Sequence, residues 1–209
     1  GLPHRSPAAD LHRCRTSGLP GLSASARPSP PPEQGGEQGV DPRTFTGALS
    51  AAANGVSIVS TAHAGRRAGL TVSSMCSVCA EPPLLLVCVN ADNEFCDLVD
   101  HGGRFAVNLL EQCHPELAMV FAGLSGDGLS SAPDGTDRFA SGAWSTGANG
   151  APVLDDALVS LQCSLESSLQ RGTHRVFIGL VTAASTGSGL PLVYSDRGFV
   201  SIAPEGVAT

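Results

Sequence analysis

The chain has 209 residues, a net charge of −7, 42% hydrophobic residues and only 15% charged ones. All twelve basic residues are arginine, which excludes a phosphate-loop lysine, a lysine Schiff base and the usual pyridoxal-phosphate anchor. The acidic balance argues against a nucleic-acid backbone as the main partner. No apolar run approaches a membrane span of roughly 18 residues: the strongest, Leu84 to Val89, is strand-sized, so no membrane partner is expected. Seven cysteines are an odd count. Six of them sit in apolar or strand-like stretches, which reads as buried thiols in a reducing cytoplasm rather than a disulfide framework.

Residues 1–39 hold six Gly, seven Pro and five Ser. A stretch such as Pro28-Ser29-Pro30-Pro31-Pro32 joins neither a helix nor a central strand, and it buries too little to offset its ordering entropy. Residues 1–40 are therefore expected to form a disordered Gly/Pro/Ser-rich extension, a low-complexity tail rather than a targeting peptide. Residues 41–209 form the folded domain.

That domain opens with Asp41-Pro42, an N-cap followed by proline at the first helical position. Phe45, Leu49 and Ala52 share a helical face, and Gly55 is expected to close the helix. Val56 to Ser60 and Gly69 to Ser74 read as strands, and Pro82-Pro83 launches the strand Leu84 to Val89. Phe95, Leu98 and Val99 mark a short helix ending at Gly102-Gly103. Arg104 to Leu110 is a strand, Leu117, Val120 and Phe121 mark another short helix, and 123–150 read as a long loop region. Val159, Leu161, Cys163 and Leu165 alternate with polar residues as a half-buried strand does. His174 to Val181 and Leu190 to Ile202 supply further strands. Short antiparallel strands with few helices and no βαβ rhythm point to a barrel.

The search for a nucleophile finds no Gly-x-Ser-x-Gly elbow and no zinc-protease helix. Cys76-x-x-Cys79 lacks both the helix start of a redox pair and the second pair of a zinc site, and reads as buried small residues between strands. The polar cluster Gly69 to Val78 offers small hydroxyls and backbone N–H groups suited to a flat polar ring or a phosphate, or simply ends a strand. Gly172-Thr173-His174 reads as a hairpin turn or as an imidazole at a barrel mouth. His63, His101 and His114 fall at a turn, a helix end and a helix start, with no grouping into a metal site.

Taken in order, these pieces resemble the flavin reductase family, the small NAD(P)H-dependent reductases that feed reduced flavin to two-component monooxygenases. The resemblance runs from Asp41 to Ile202. It is carried by Asp41-Pro42-Arg43-Thr44-Phe45, Asn54 to Val59, Gly69-Leu70-Thr71-Val72-Ser73-Ser74, Glu81-Pro82-Pro83-Leu84 with its strand to Asn90, and Gly103 to Leu110. Asp137-Arg138-Phe139, Gly150 to Leu154 and Gly172-Thr173-His174 to Gly179 complete the series.

The resemblance implies a mainly β fold with short helices, a split β-barrel of the FMN-binding type. It also implies a homodimer, FMN or FAD, and NADH or NADPH as hydride donor. Thr71, Val72, Ser73 and Ser74 would line the flavin, with Met75, Cys76 and Ser77 continuing that segment. Asn90 and Asn93 would help hold the phosphate. Phe105 and Asn108 belong to a strand under the ring, Gly172 and Thr173 to the turn beside it, and His174 would sit near the nicotinamide as the catalytic residue. Hydride would pass from nicotinamide C4 to flavin N5, chemistry that the cofactors carry and that requires no protein nucleophile or strong base.

One departure matters. The family usually follows Asn90 with an Arg and Ser pair, whereas here Ala91-Asp92-Asn93-Glu94 places two carboxylates where phosphate oxygens are expected. Such repulsion costs on the order of 1 kcal/mol even when partly screened. A second reading therefore keeps the barrel but makes it a binding module for flavin or another aromatic ligand, and a third an oxidoreductase with retained flavin.

Overall fold

The computed structural model describes residues 39–124 and 136–202. The disorder expected of residues 1–40 falls almost wholly outside them. Asp41 caps α1 (Pro42–Ser50), its carboxylate accepting the backbone N–H groups of Arg43 and Thr44 at 3.0 and 3.1 Å. The helix stops five residues before Gly55, and neither Phe45 nor Leu49 is buried.

Asn54–Gly55 forms β1, and the first sheet strands follow as β2 (Ser57–His63), β3 (Arg66–Val72), β4 (Met75–Ala80) and β5 (Pro83–Asn90). The cysteine-containing segment expected between strands is thus itself the strand β4. The helix α2 (Glu94–Gly102) is capped by Asn93 and ends at Gly103, whose left-handed φ of 65° suits a residue without a Cβ. After β6 (Arg104–Leu109) and α3 (Pro115–Phe121), a single 3-10 turn at Arg138–Ala140 precedes the short pair β7 (Trp144–Thr146) and β8 (Pro152–Leu154). The expected loop region 123–150 therefore carries ordered structure in its described part. The long strands β9 (Val159–Arg171) and β10 (His174–Thr186) form a hairpin, and β11 (Val193–Ser195) and β12 (Gly198–Val200) form a second.

Seven strands run antiparallel in the order β3-β2-β6-β9-β10-β5-β4. β3 and β4 end the sheet and are joined by the turn Ser73-Ser74, so the sheet curls into a split β-barrel that is not hydrogen-bonded shut. Its core holds Val59, Val87, Val89, Phe95, Phe105, Cys163 and Phe177. Phe95 meets Phe105 and Phe177 edge-on at 6.4 and 5.8 Å between ring centroids. A second cluster joins Ile58 and Leu110 to Phe121 and Phe139 under α3. Gly179 in β10 is required by packing: a Cβ there would lie 2.5 Å from Phe105 Cζ and 2.8 Å from Cys163 Cβ.

Candidate functional site

The side chains of a strand alternate faces, so the register of β4, β5 and β10 decides what shares a surface. Val87 and Val89 point into the core. Cys88 and Asn90 therefore point outward, and His174 stands opposite Asn90 on the neighbouring strand. Ser74 is fastened to the edge of β5: its Oγ donates to the Cys88 carbonyl at 2.8 Å and accepts the Cys88 N–H at 3.3 Å. Ser74 and His174 thus stand on opposite sides of β5, Ser74 level with Cys88 and His174 level with Asn90.

His174 is exposed, and its Nδ1 lies 3.0 Å from Thr173 Oγ1. Gly172 takes the left-handed φ of 56° that lets two residues turn β9 into β10. The Thr173 carbonyl accepts the Ala91 N–H at 2.9 Å, fastening this turn to the end of β5. Behind His174, Arg175 forks onto both carboxylate oxygens of Asp100 in α2 and donates to Ser168 Oγ at 2.8 Å. This pairing raises the Arg175 pKa above its ordinary value and fixes α2 against the start of β10.

Two cavities meet at the β3–β4 turn. Thr71, Val72 and Ser73 line one of about 440 Å³ together with Met119, Tyr194 and Arg197. Ser73 and Ser74 line a second of about 440 Å³ with Leu49, Asn54 and Tyr194. Tyr194 borders both. A flat polar ring laid along this turn finds backbone and hydroxyl groups rather than a nucleophile.

The sequence-assigned residues divide clearly. Ser73, Ser74, Asn90, Gly172, Thr173 and His174 gather at one end of the sheet. Thr71 is beside them, but its hydroxyl donates to the Ala118 carbonyl at 2.6 Å. Val72 is buried and offers the cavity little beyond backbone. Met75 packs against the core, while Cys76 and Ser77 are exposed on the sheet edge.

Phe105 and Asn108 require correction as flavin contacts, because both are fully buried. The Asn108 Nδ2 donates to the Ile58 carbonyl and Ser60 Oγ, and its Oδ1 accepts from the Leu154 N–H and Ser160 Oγ. Its hydrogen bonds are committed inside the protein, so it braces β2, β6, β8 and β9. The buried-thiol expectation also needs correction, since Cys76, Cys79 and Cys113 are exposed.

The β5–α2 turn is largely occupied by its own contacts. Asn90 Oδ1 accepts the Asp92 N–H at 3.0 Å, and Asn93 Oδ1 accepts the Phe95 N–H at 3.0 Å. Glu94 pairs with Arg66 at 2.9 Å. Tyr194 and Arg197, which the sequence reading passes over, line the cavity at Ser73. Their signal is the alternating pattern either side of Asp196-Arg197, where both residues take positive φ in a two-residue hairpin turn. Among the described residues no group of three or more His, Cys, Asp or Glu is placed to hold a metal ion.

Comparison with known proteins settles the class. The flavin reductase like domain family matches residues 49–203. The chain belongs to that family. It is 34% identical over 184 residues to the FMN reductase (NADH) RutF 2 of Rhizobium rhizogenes, covering 88% of this chain and 98% of that one. The Streptomyces globisporus NADH:FAD oxidoreductase SgcE6, solved with NAD and FAD fragments, superposes with a TM-score of 0.70 at 26% identity, over 80% and 98% of the two chains. The styrene monooxygenase flavin reductase of Pseudomonas putida S12 superposes with a TM-score of 0.65 at 26% identity, over 77% and 99%. This flavin reductase family member is accordingly an oxidoreductase acting on flavin. Its site residues suit a flavin, because the Ser73-Ser74 turn presents polar groups beside open space.

Proposed function

We propose that the protein uses NADH to reduce free FMN and releases the reduced flavin to a partner monooxygenase. The observation that carries this reading is the placement of the Ser73-Ser74 turn and His174 on either side of β5, Ser74 bonded to the Cys88 backbone and His174 paired with Asn90. When flavin is bound it supplies the hydride acceptor. The overall conversion is NADH, H⁺ and FMN to NAD⁺ and reduced FMN. The chain's own task is to stack two rings in the right order and keep them oriented. Ser73 and Ser74 hold the flavin at the turn, and His174 orients the nicotinamide. Arg175, gripped by Asp100, keeps the His174 turn in place.

FMN is favoured over FAD by the FMN reductases among the relatives. The monooxygenase partner is favoured by the styrene monooxygenase component among the structural neighbours. The working form is a homodimer: α1 buries none of its residues, and Phe45, Leu49, Tyr194, Phe199 and Val200 stay 38–54% exposed in one protomer. The six described cysteines are free thiols, which fits the cytoplasm. Steady-state kinetics with FMN and FAD, each with NADH and NADPH, together with the mass of the protein in solution, test all of these points. Preference for FAD or NADPH, or a monomer at working concentration, would overturn the corresponding part.

A further inference from the structure

The phosphate of a bound flavin needs a cation or several free N–H donors. The family resemblance puts that phosphate at the β5–α2 turn, and in this chain the turn is poorly equipped for it. The Asn90 and Asn93 side-chain oxygens accept local backbone N–H groups and Asn93 caps α2, which leaves only their Nδ2 amides, neutral donors, for a phosphate. Asp92 and Glu94 contribute negative charge, and the arginine that reaches this turn, Arg66, is paired with Glu94.

The arginines elsewhere narrow the alternatives. Of the eight in residues 40–209, six donate to described protein groups: Arg66 to Glu94, Arg67 to Asp137, Arg104 to Asn149, Arg138 to Gly69 and Phe121, Arg171 to Gln170, and Arg175 to Asp100 and Ser168. Arg43 lies exposed on α1. Arg197 bonds no described residue and lines the cavity of about 440 Å³ shared with Ser73. No carboxylate and no second cation line that cavity among the described residues. Ser73 of that cavity is followed directly by Ser74, which is bonded to β5, the strand beside His174.

We propose that Arg197 binds the phosphate of FMN, replacing the cation missing after Asn90. This rests on the flavin reductase reading and deepens it. A guanidinium presents a planar pair of N–H donors matched to two phosphate oxygens, and its position at the hairpin tip leaves it clear of the sheet. Riboflavin carries the same ring without the phosphate, so the preference for FMN over riboflavin isolates the contribution of Arg197.

The test measures dissociation constants for FMN and riboflavin by quenching of flavin fluorescence, in wild type, R197Q and R197K, with a thermal melt confirming that each variant is folded. The proposal expects the FMN-to-riboflavin preference to fall at least about tenfold in R197Q and to be restored only in part in R197K, which keeps the charge but not the paired donors. An unchanged preference in folded R197Q overturns it, as does a shift confined to the KM for NADH, which would assign the guanidinium to the dinucleotide. Wild type that binds neither flavin would instead overturn the underlying reading, before any variant is compared.

Discussion

The Ser74 hydroxyl and the Cys88 peptide hold each other through two hydrogen bonds, Oγ to carbonyl at 2.8 Å and N–H to Oγ at 3.3 Å. The contact extends the β4–β5 ladder by one side chain and pins the β3–β4 turn to the strand that also positions His174. In Ser74→Ala both bonds are lost and the turn loosens. The expected result is weaker FMN binding, by about fivefold to tenfold, with a loss of stability near 1 kcal/mol. Flavin fluorescence titration and urea unfolding read the two effects separately.

The His174 side chain makes no described hydrogen bond beyond that to its neighbour Thr173. His174→Ala is therefore expected to leave thermal stability nearly unchanged. It is expected to lower kcat/KM for NADH by about tenfold or more, through loss of nicotinamide orientation. The dissociation constant for FMN should move far less than the NADH parameters. Equal losses in both would place His174 against the flavin instead.

Asn108 connects four strands and has no exposed surface. Asn108→Ala strands the Leu154 N–H and leaves Ser160 Oγ without its partner, while Ser60 keeps its bond to the Pro152 carbonyl. Each buried orphan costs roughly 1–3 kcal/mol, so the variant is expected to lose about 3 kcal/mol or more in chemical denaturation. Gly179→Ala is expected to lose about 1–3 kcal/mol by overpacking against Phe105 and Cys163.

Burial pushes the Cys163 thiol from 9.0 up to about 12, and desolvation also raises Cys96. In the unfolded chain the Cys163 thiol ionises near its ordinary value, while in the folded chain it keeps its proton. The unfolded state therefore binds fewer protons than the native state between about pH 9 and 12, and stability falls across that window. Wild type is expected to lose stability with rising pH more steeply than Cys163→Ala there. In native protein at pH 8, Ellman's reagent should modify the exposed Cys76, Cys79 and Cys113 and spare Cys96 and Cys163 until denaturant is added.

Much of the architecture was legible in the sequence because punctuation and periodicity agreed. Asp41-Pro42 began α1, Gly103 ended α2, and the alternation of Val159 to Leu165 marked β9. The β4 segment was missed because Cys, Ser and Val alternate without contrast on an edge strand, where only Met75 packs against the core. Asn108 and Phe105 were misplaced for a different reason. A strand pattern reveals which residues share a face but not which face the barrel encloses, and Asn108 is a polar residue on a core-facing strand. The pattern around Asp196-Arg197 marked a hairpin turn but not a binding role for Arg197, whose isolation emerges only after six of the other arginines have found partners in three dimensions. The hydroxyl cluster and the Gly-x-His turn were visible as motifs, whereas their meeting on either side of β5 depended on long-range register.

The most direct test of the account is NADH consumption followed by nicotinamide absorbance, with purified protein alone and with FMN added in increasing amounts. The account predicts negligible oxidation without added flavin and a rate that saturates with FMN. It also predicts that the reduced product leaves the protein and can be captured by an external acceptor. Absence of flavin-dependent oxidation, or full turnover on a flavin that stays with the protein through purification, would contradict it.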